Sequence, residues 1–275
     1  MTAWMIANES SLRLTAFIGF GLLLWLIQWR RPLRGDGRDG RRLLRNLGLV
    51  FTGTLLVRLL FPLLAVAWAV MLERQGIGLF ALLHWPPALE VLLAVCLLDL
   101  AIYWQHRLFH WSPLLWRLHR VHHSDTAFDV STGVRFHPLE VALSMAIKLA
   151  VVTLLGAAPL AVLIFELLLS IGALFTHSDF ALPARLDRQL RRVLVTPSMH
   201  RIHHSVIRVE TDSNFGFHLS LWDHWFGSYR AQPQRPEQSM PIGLDEFRSP
   251  TAQRLGALLL QPFRSPAPPT ENSDA

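Results

Sequence analysis

Five apolar runs, each close to the length of a membrane helix, constrain the fold of this chain more than any other feature. They cover residues 14–29, 47–72, 88–104, 139–155 and 160–175. A helix needs roughly 20 mainly apolar residues to cross a bilayer, and each run reaches that length with its flanking aromatic residues. Charged residues make up only 17% of the chain, whereas about 25% is usual for a soluble domain. The sequence therefore predicts an all-α fold, a polytopic bundle of membrane helices.

Arginines around the first two runs predict the orientation of this bundle. Seven of them follow the first run closely: Arg30, Arg31, Arg34, Arg38, Arg41, Arg42 and Arg45. Because short loops rich in Arg remain on the cytoplasmic side, we expect the N-terminus outside and, after five crossings, the C-terminus in the cytoplasm. High arginine usage and short loops favour a bacterial inner membrane. A pI near 10.8 suggests nucleic acid in a soluble protein. Arginines that flank apolar runs instead favour membrane lipids, so we predict no nucleic-acid partner.

The same pass along the chain predicts three regions. Residues 1–87 form an N-terminal transmembrane region with two spans and the basic cytoplasmic loop, residues 88–230 carry most of the histidines, and residues 231–275 form a mobile tail. The second span contains Arg58 and is expected to kink at Pro62. Because a charge inside a bilayer needs a partner or water, Asp99 and Glu90 on the next span are candidate partners for Arg58. Asp99 has an equally weighted alternative, as a hydrogen-bond acceptor for a histidine on another helix.

Histidines carry the strongest functional signal. The chain has 13 of them, and eight fall into three spaced clusters: HxxxH at 106 and 110, HxxHH at 119, 122 and 123, and HxxHH at 200, 203 and 204. Residues three or four apart share a helix face, so one helix can supply two ligands to one metal and a third to a neighbour. Eight ligands exceed the need of one ion, so two metals are implied, with His177 as a ninth candidate. His84 and His224 are read as interfacial residues.

The residue types narrow the chemistry of this centre without naming the metal. A single cysteine, Cys96, excludes internal disulfides, CxxC pairs and Cys-ligated iron–sulfur clusters. Imidazole binds Zn, Cu, Fe and Ni. A membrane metal-binding or transport protein without oxidative chemistry is one alternative. It needs ligands near the bilayer midplane, whereas these histidines are expected to cluster at one surface. A haem-binding electron carrier is another, but adjacent histidine pairs exceed what two axial ligands require.

Six motifs, taken in order, resemble the fatty acid hydroxylase / sterol desaturase superfamily of integral-membrane di-iron enzymes over residues 92–229. They are DLAIYWQHRLFH at 99–110, LHRVHH at 118–123, RFHPLE at 135–140, THSDF at 176–180, SMHRIHH at 198–204 and NFGFHLSLWDHWFGSYR at 214–230. The resemblance implies a cytoplasmic histidine-rich di-metal cap on the bundle, with residues 88–230 as the catalytic domain. It also implies a membrane oxygenase that hydroxylates or desaturates a C–H bond of a lipid or sterol-like substrate. The implied partners are O2 and a separate electron-donor protein.

Carried over residue by residue, the resemblance implies two Fe ions with no catalytic residues beyond their ligands. The implied ligands are His106, His110, His119, His122, His123, His177, His200, His203 and His204. Possible additional or supporting residues are His137, Asp99, Tyr103, Asn214 and Asp223. Some lipid hydroxylases of the superfamily carry a further histidine one turn beyond the His177 position, where this chain has Ala181. Four arginines among the histidines, Arg107, Arg117, Arg120 and Arg201, are expected to hold a donor protein or a lipid headgroup, or simply to anchor the interface.

Overall fold

The computed structural model describes residues 1–83 and 85–265, and within these residues the fold is all-helical without a strand. The N-terminal helices are α1 (Thr2–Ala7), α2 (Glu9–Arg30), α3 (Gly40–Leu60), α4 (Ala65–Gln75), α5 (Leu79–Leu83) and α6 (Pro87–Trp111). The later helices are α7 (Pro113–His123), α8 (Pro138–Leu155), α9 (Pro159–Thr176), α10 (Ala184–Leu190), α11 (Pro197–His203), α12 (Arg208–Thr211), α13 (Leu221–Trp225) and α14 (Leu255–Leu260), with 3₁₀ turns at Val130–Val134 and Gln261–Phe263.

Five stretches of the described residues are long and apolar enough to cross a membrane, which confirms the predicted bundle. They are α2, the segment Gly40–Leu83, α6, α8 and α9. The expected kink at Pro62 is instead a break, because α3 ends at Leu60 and α4 begins at Ala65. Proline lacks an amide hydrogen, and it also forces the residue before it out of the helical region. Phe61 accordingly has φ −119° and ψ 105°.

The arginine-rich loop between α2 and α3 lies on the same side of the bundle as the histidine-bearing segments. Asp179, which follows α9, accepts hydrogen bonds from the backbone N–H groups of Arg34 and Gly35, at 3.0 and 2.8 Å. Asn46, near the start of α3, donates to the Ser131 hydroxyl at 2.9 Å. The cap is therefore built against one end of the spans.

Arg42, near the start of α3, ties this helix to the segment of the cap that follows α7. Arg42 is buried, and its guanidinium donates two 2.7 Å hydrogen bonds to the Asp125 carboxylate and contacts Asp129 at 2.9 Å. Burial alone would raise the pKa of Asp125, but the facing Arg42 lowers it to about 2. The pair is therefore ionised, and this arginine is not free to contact lipid headgroups.

The C-terminal segment packs onto the cap as far as residue 265, where the composition had suggested a mobile tail. Met240, Ile242 and Leu258 are buried there. Arg120 donates to the backbone carbonyl of Gln261 at 2.6 Å. These apolar side chains and paired backbone groups hold a segment whose Pro- and Ser-rich composition suggested no structure. Residues 266–275, the rest of that prediction, lie outside the described residues.

Candidate metal centre

The structure brings all nine predicted histidines together, in two neighbouring groups within the described residues. The five-histidine group contains His106, His110, His119, His123 and His203, and the four-histidine group contains His122, His177, His200 and His204. Within each group the candidate ligand atoms all lie within 4.8 Å of one another. All nine side chains are buried. Each group thus has the dimensions of a metal site.

Helix geometry explains how adjacent histidines serve different groups. On α7, His119 and His123 are one turn apart and face the five-histidine group, while His122 faces the other. Successive side chains on a helix are rotated by about 100°, so neighbouring residues cannot share one face. The pattern repeats at α11, where His203 faces the five-histidine group and His204 the other. The two clusters with the same spacing therefore connect the two groups.

Six of the nine imidazoles have their outward Nδ1 next to a carbonyl or carboxylate oxygen. The contacts are His106 to Phe215 O at 2.8 Å, His110 to Asp212 at 3.4 Å, His119 to Glu140 at 2.7 Å, His122 to Arg135 O at 3.2 Å, His177 to Ala173 O at 2.7 Å and His203 to Ser213 O at 2.8 Å. Such an acceptor fixes the tautomer with the proton on Nδ1 and leaves the lone pair of Nε2 for a metal.

The inward nitrogens of the clustered histidines are placed to bind a metal ion. The Nε2 atoms of His106, His110, His119 and His203 are buried without a hydrogen-bond partner in the described part of the chain. In the four-histidine group, Nε2 of His177 lies 3.2, 3.2 and 3.0 Å from Nε2 of His122, His204 and His200. Buried nitrogen atoms are normally paired. Two convergent sets of imidazole nitrogens therefore fit two metal ions.

Electrostatics keep the clustered histidines neutral. Burial, reinforced by the neighbouring histidines, lowers the pKa of His122, His123, His200 and His204 well below the ordinary value. Burial also lowers the pKa of His177 to about 4 and of His203 to about 3. A metal ion competes with protons for imidazole. At neutral pH these imidazoles are uncharged, so one ring nitrogen of each keeps a lone pair that can bind a metal.

His137 and Asp99 lie outside the two histidine groups. His137 begins α8: its Nδ1 accepts from the backbone N–H of Leu139 at 3.2 Å, and its Nε2 lies 3.1 Å from the carbonyl of Leu259. Both ring nitrogens are thus used outside the two groups. Asp99 contacts His218 Nδ1 at 2.5 Å and Trp222 Nε1 at 2.8 Å.

Of the two roles considered for Asp99, the pairing with Arg58 is not observed among the described residues. Asp99 does contact a histidine, but this is His218, which lies in the segment after α12 and outside the two histidine groups. Asp99 holds the segment after residue 214, and Arg58 is exposed with no ion pair among the described residues. Pairing Arg58 with Glu90 is likewise not observed there. The carboxylate satisfies local donors, so burying it on α6 requires no arginine.

The remaining supporting residues hold the segment that positions His106. Asp223 accepts hydrogen bonds from the backbone N–H groups of Phe215 and Gly216, both at 2.8 Å. Burial raises the pKa of Asp223 to about 6. Asn214 has the left-handed φ of 53° and donates to the Met199 carbonyl at 3.0 Å. Since the Phe215 carbonyl contacts His106, this turn fixes the orientation of that imidazole.

Tyr103 belongs to the same scaffold. Its hydroxyl lies 2.9 Å from that of Ser228, which in turn donates to Asp223 at 2.6 Å. Tyr103 is fully buried and contacts neither histidine group through a hydrogen bond in the described residues. It supports the turn at residues 214–216 and not the candidate metal ligands themselves.

Sequence reasoning missed two important residues and misjudged two arginines. Glu140, which contacts His119, lies in the quoted RFHPLE motif, and its position just after Pro138 at the start of α8 was the available signal. His218 gave no spacing signal. Arg120 and Arg201 are buried, and Arg201 pairs with Glu237 at 2.6 Å. Those two arginines are therefore not available to a donor protein or a headgroup.

An apolar cavity of about 320 Å³ extends from the histidines into the bundle. Five of the nine histidines line one end of it: His106, His119, His122, His177 and His200. Its walls include Ile102, Phe109, Met145 and Leu169. Sites for small molecules are typically concave and apolar with volumes upward of about 300 Å³. The cavity can therefore hold part of an apolar molecule against the metal centre.

Comparisons with known proteins agree with this architecture. The chain is 33% identical over 183 residues to an ornithine lipid hydroxylase of Rhizobium tropici, covering 66% of this chain and 52% of that protein. It is 30% identical over 176 residues to an alkylglycerol monooxygenase of Danio rerio, covering 62% of this chain and 37% of that protein. It is 27% identical over 205 residues to a cholesterol 25-hydroxylase of Rattus norvegicus, covering 70% and 63%. No solved structure matches the chain.

The matched region is the histidine-bearing half. The chain spans about half the length of the ornithine lipid hydroxylase and just over a third of the alkylglycerol monooxygenase. The sequence profile of the family described as Fatty acid hydroxylase matches residues 91–228. These residues include all nine clustered histidines, the turn at residues 214–216 and the oxygen atoms that contact Nδ1 of six of the histidines. This chain belongs to the fatty acid hydroxylase family.

Proposed function

We propose that this protein is a membrane enzyme that uses O2 and external electrons to hydroxylate a C–H bond of a lipid or sterol-like substrate. The observation that carries the proposal is the contact between two groups of buried, neutral histidines and an apolar cavity. The relatives named above are hydroxylases or a monooxygenase, which favours hydroxylation over desaturation.

The metals of the proposal are two non-haem iron ions, one in each histidine group. Bound iron would supply the O2 activation needed to oxidise an unactivated C–H bond. The chain itself orients the imidazoles through Glu140 and the backbone carbonyls, and its apolar cavity walls exclude water and position the substrate. The electrons come from a separate donor protein.

A metal-transport function has less support. All nine histidines lie where the described spans meet the cap, at one end of the bundle. A permeation path needs polar sites near the bilayer midplane. The one-sided placement and the apolar cavity favour chemistry over passage.

The orientation of the protein is part of the proposal. The histidine cap and the arginine-rich loop share one side, which we assign to the cytoplasm of a bacterial inner membrane, with the N-terminus outside. Reporter fusions test this: a cytoplasm-active reporter at residue 265 is expected to be active, and one inserted at residues 76–78 inactive. The opposite result would reverse the assignment.

Iron binding and oxygen incorporation test the function directly. The full chain is reconstituted with Fe(II) without oxygen in detergent, and iron per chain and Mössbauer spectra are measured. It is then given bacterial lipids, a chemical reductant and isotopically labelled O2. We expect histidine-bound iron and a lipid product containing one labelled oxygen atom. Folded protein without bound iron would contradict the proposal, and a product lacking two hydrogens and the label would make the enzyme a desaturase.

A further inference from the structure

The cavity beneath the metal centre contains a line of polar side chains. Glu140, Ser144 and Lys148 follow one another at intervals of four on α8, and all three line the cavity. Residues four apart lie on one helix face and are separated by about 6 Å along the axis. This polar stripe begins at the carboxylate that contacts His119 and runs into the bundle. A cavity that held only a hydrocarbon chain would not need these polar side chains.

Gln105 completes the stripe from the opposite wall. It lies next to His106 on α6 and also lines the cavity. Its side-chain amide donates to the Ser144 hydroxyl at 2.9 Å. The other end of that amide, Oε1, is buried and has no hydrogen-bond partner among the described residues. A buried acceptor without a donor is unfavourable, so a ligand that supplies a donor at this point gains binding free energy.

The deep end of the stripe carries no excess charge. Lys148 forms a buried ion pair with Glu166 on α9. The second oxygen of Glu166 is 2.7 Å from Arg13, and Arg13 lies 3.4 Å from Glu9. Two cations thus face two carboxylates. An anionic headgroup gains no net attraction here, whereas a neutral polar group meets no unpaired charge.

We propose that Gln105 determines substrate specificity by accepting a hydrogen bond from a neutral donor group of the lipid, a hydroxyl or an amide N–H. The inference rests on the proposed function, because it assigns the substrate class of the same cavity. Gln105 adjoins His106, and its partner Ser144 is about 6 Å along α8 from Glu140. The carbon that is hydroxylated therefore lies close to a polar group, and not far out on an unsubstituted chain.

Matched probes test the requirement for a donor. The first pair is 1-dodecanol and its methyl ether, and the second is N-methyldodecanamide and N,N-dimethyldodecanamide. Dissociation constants are measured by titration calorimetry with the iron-loaded full chain in detergent. Within at least one pair, we expect the donor-bearing probe to bind roughly tenfold more tightly than its methylated analogue. The pair that shows this preference distinguishes a hydroxyl from an amide substrate.

Two variants and one control assign the preference to Gln105. Gln105→Met is expected to bring the ratio of dissociation constants close to one, and Ser144→Ala, which frees the amide to rotate, is expected to lower it partly. Gln75→Met, an exposed position at the end of α4, is expected to keep the full preference. An unchanged ratio in Gln105→Met, or no preference in the unmodified protein for either pair, would refute the inference.

The two proposals fail in different ways. The ratio of dissociation constants needs no turnover, so it decides the role of Gln105 even in a protein that hydroxylates nothing. Labelled oxygen in a lipid decides the proposed function, even if no donor preference is found.

Discussion

Most of the clustered imidazoles are oriented by what their outward nitrogen contacts. Six of the nine clustered histidines have an oxygen acceptor at Nδ1, and Glu140 is the buried carboxylate among these acceptors. A carboxylate that accepts from a ligand histidine orients the ring and increases its basicity. Single substitutions at this scale should therefore separate ligands from their supports.

Replacing a clustered histidine should remove metal, whereas replacing an exposed one should not. His203→Ala takes a buried Nε2 out of the five-histidine group, and we expect bound iron to fall by roughly half, with loss of turnover. His224→Ala, at an exposed position, is the matched control and should keep its iron. Metal analysis of purified protein checks both. Full iron content in His203→Ala would show that the assignment of His203 is wrong.

Replacing the Glu140 carboxylate should weaken metal binding without removing a ligand. In Glu140→Gln the hydrogen bond to His119 loses its charge, and we expect iron affinity to fall by roughly 10–100-fold. Competition with a coloured chelator measures this affinity. Glu73→Gln, on the exposed end of α4, serves as control. Equal affinities in the two variants would exclude a role for Glu140 in supporting the centre.

At the level of elements, the short helices α7 and α11 do most to organise the site. Their HxxHH spacing predicts that one helix serves two metals, since helix periodicity alone separates adjacent side chains. The five spans follow equally directly from their apolar runs. The roles of Asp99 and Arg201 do not, because each depends on a partner more than thirty residues away in sequence. Periodicity describes one element, and contacts between elements leave no such pattern.

The tie between α3 and the cap is expected to be essential for stability. Arg42→Met leaves the buried Asp125 and Asp129 without their cation, and losing one partner of a buried ion pair costs about 3–5 kcal/mol. Arg41→Met changes the exposed neighbouring residue and should be nearly neutral. Thermal unfolding in detergent, followed by fluorescence, compares the two. A similar Tm for both variants would show that the tie contributes little.

For the whole molecule, metal and fold should stabilise each other. The nine histidines come from α6, α7, the end of α9 and α11, so ions bound in both groups connect four parts of the chain. A ligand at 100 times its Kd stabilises the native state by about 2.7 kcal/mol. We expect chelation to lower the Tm, Fe(II) to restore it and Mg²⁺ to leave it unchanged. An identical Tm with and without iron would mean that the cap is rigid without metal.

The position of α11 along the chain has a consequence for biosynthesis. Both histidine groups need ligands from residues 200–204, yet the last span, α9, already ends at Thr176. On the proposed function, a nascent chain emerging from the ribosome completes its five crossings before it can close either iron site. Iron must then be delivered to a protein already inserted in the membrane, from the compartment that faces the arginine-rich loop. On the proposed function, the metal supply of that compartment limits how much of the inserted protein acquires iron.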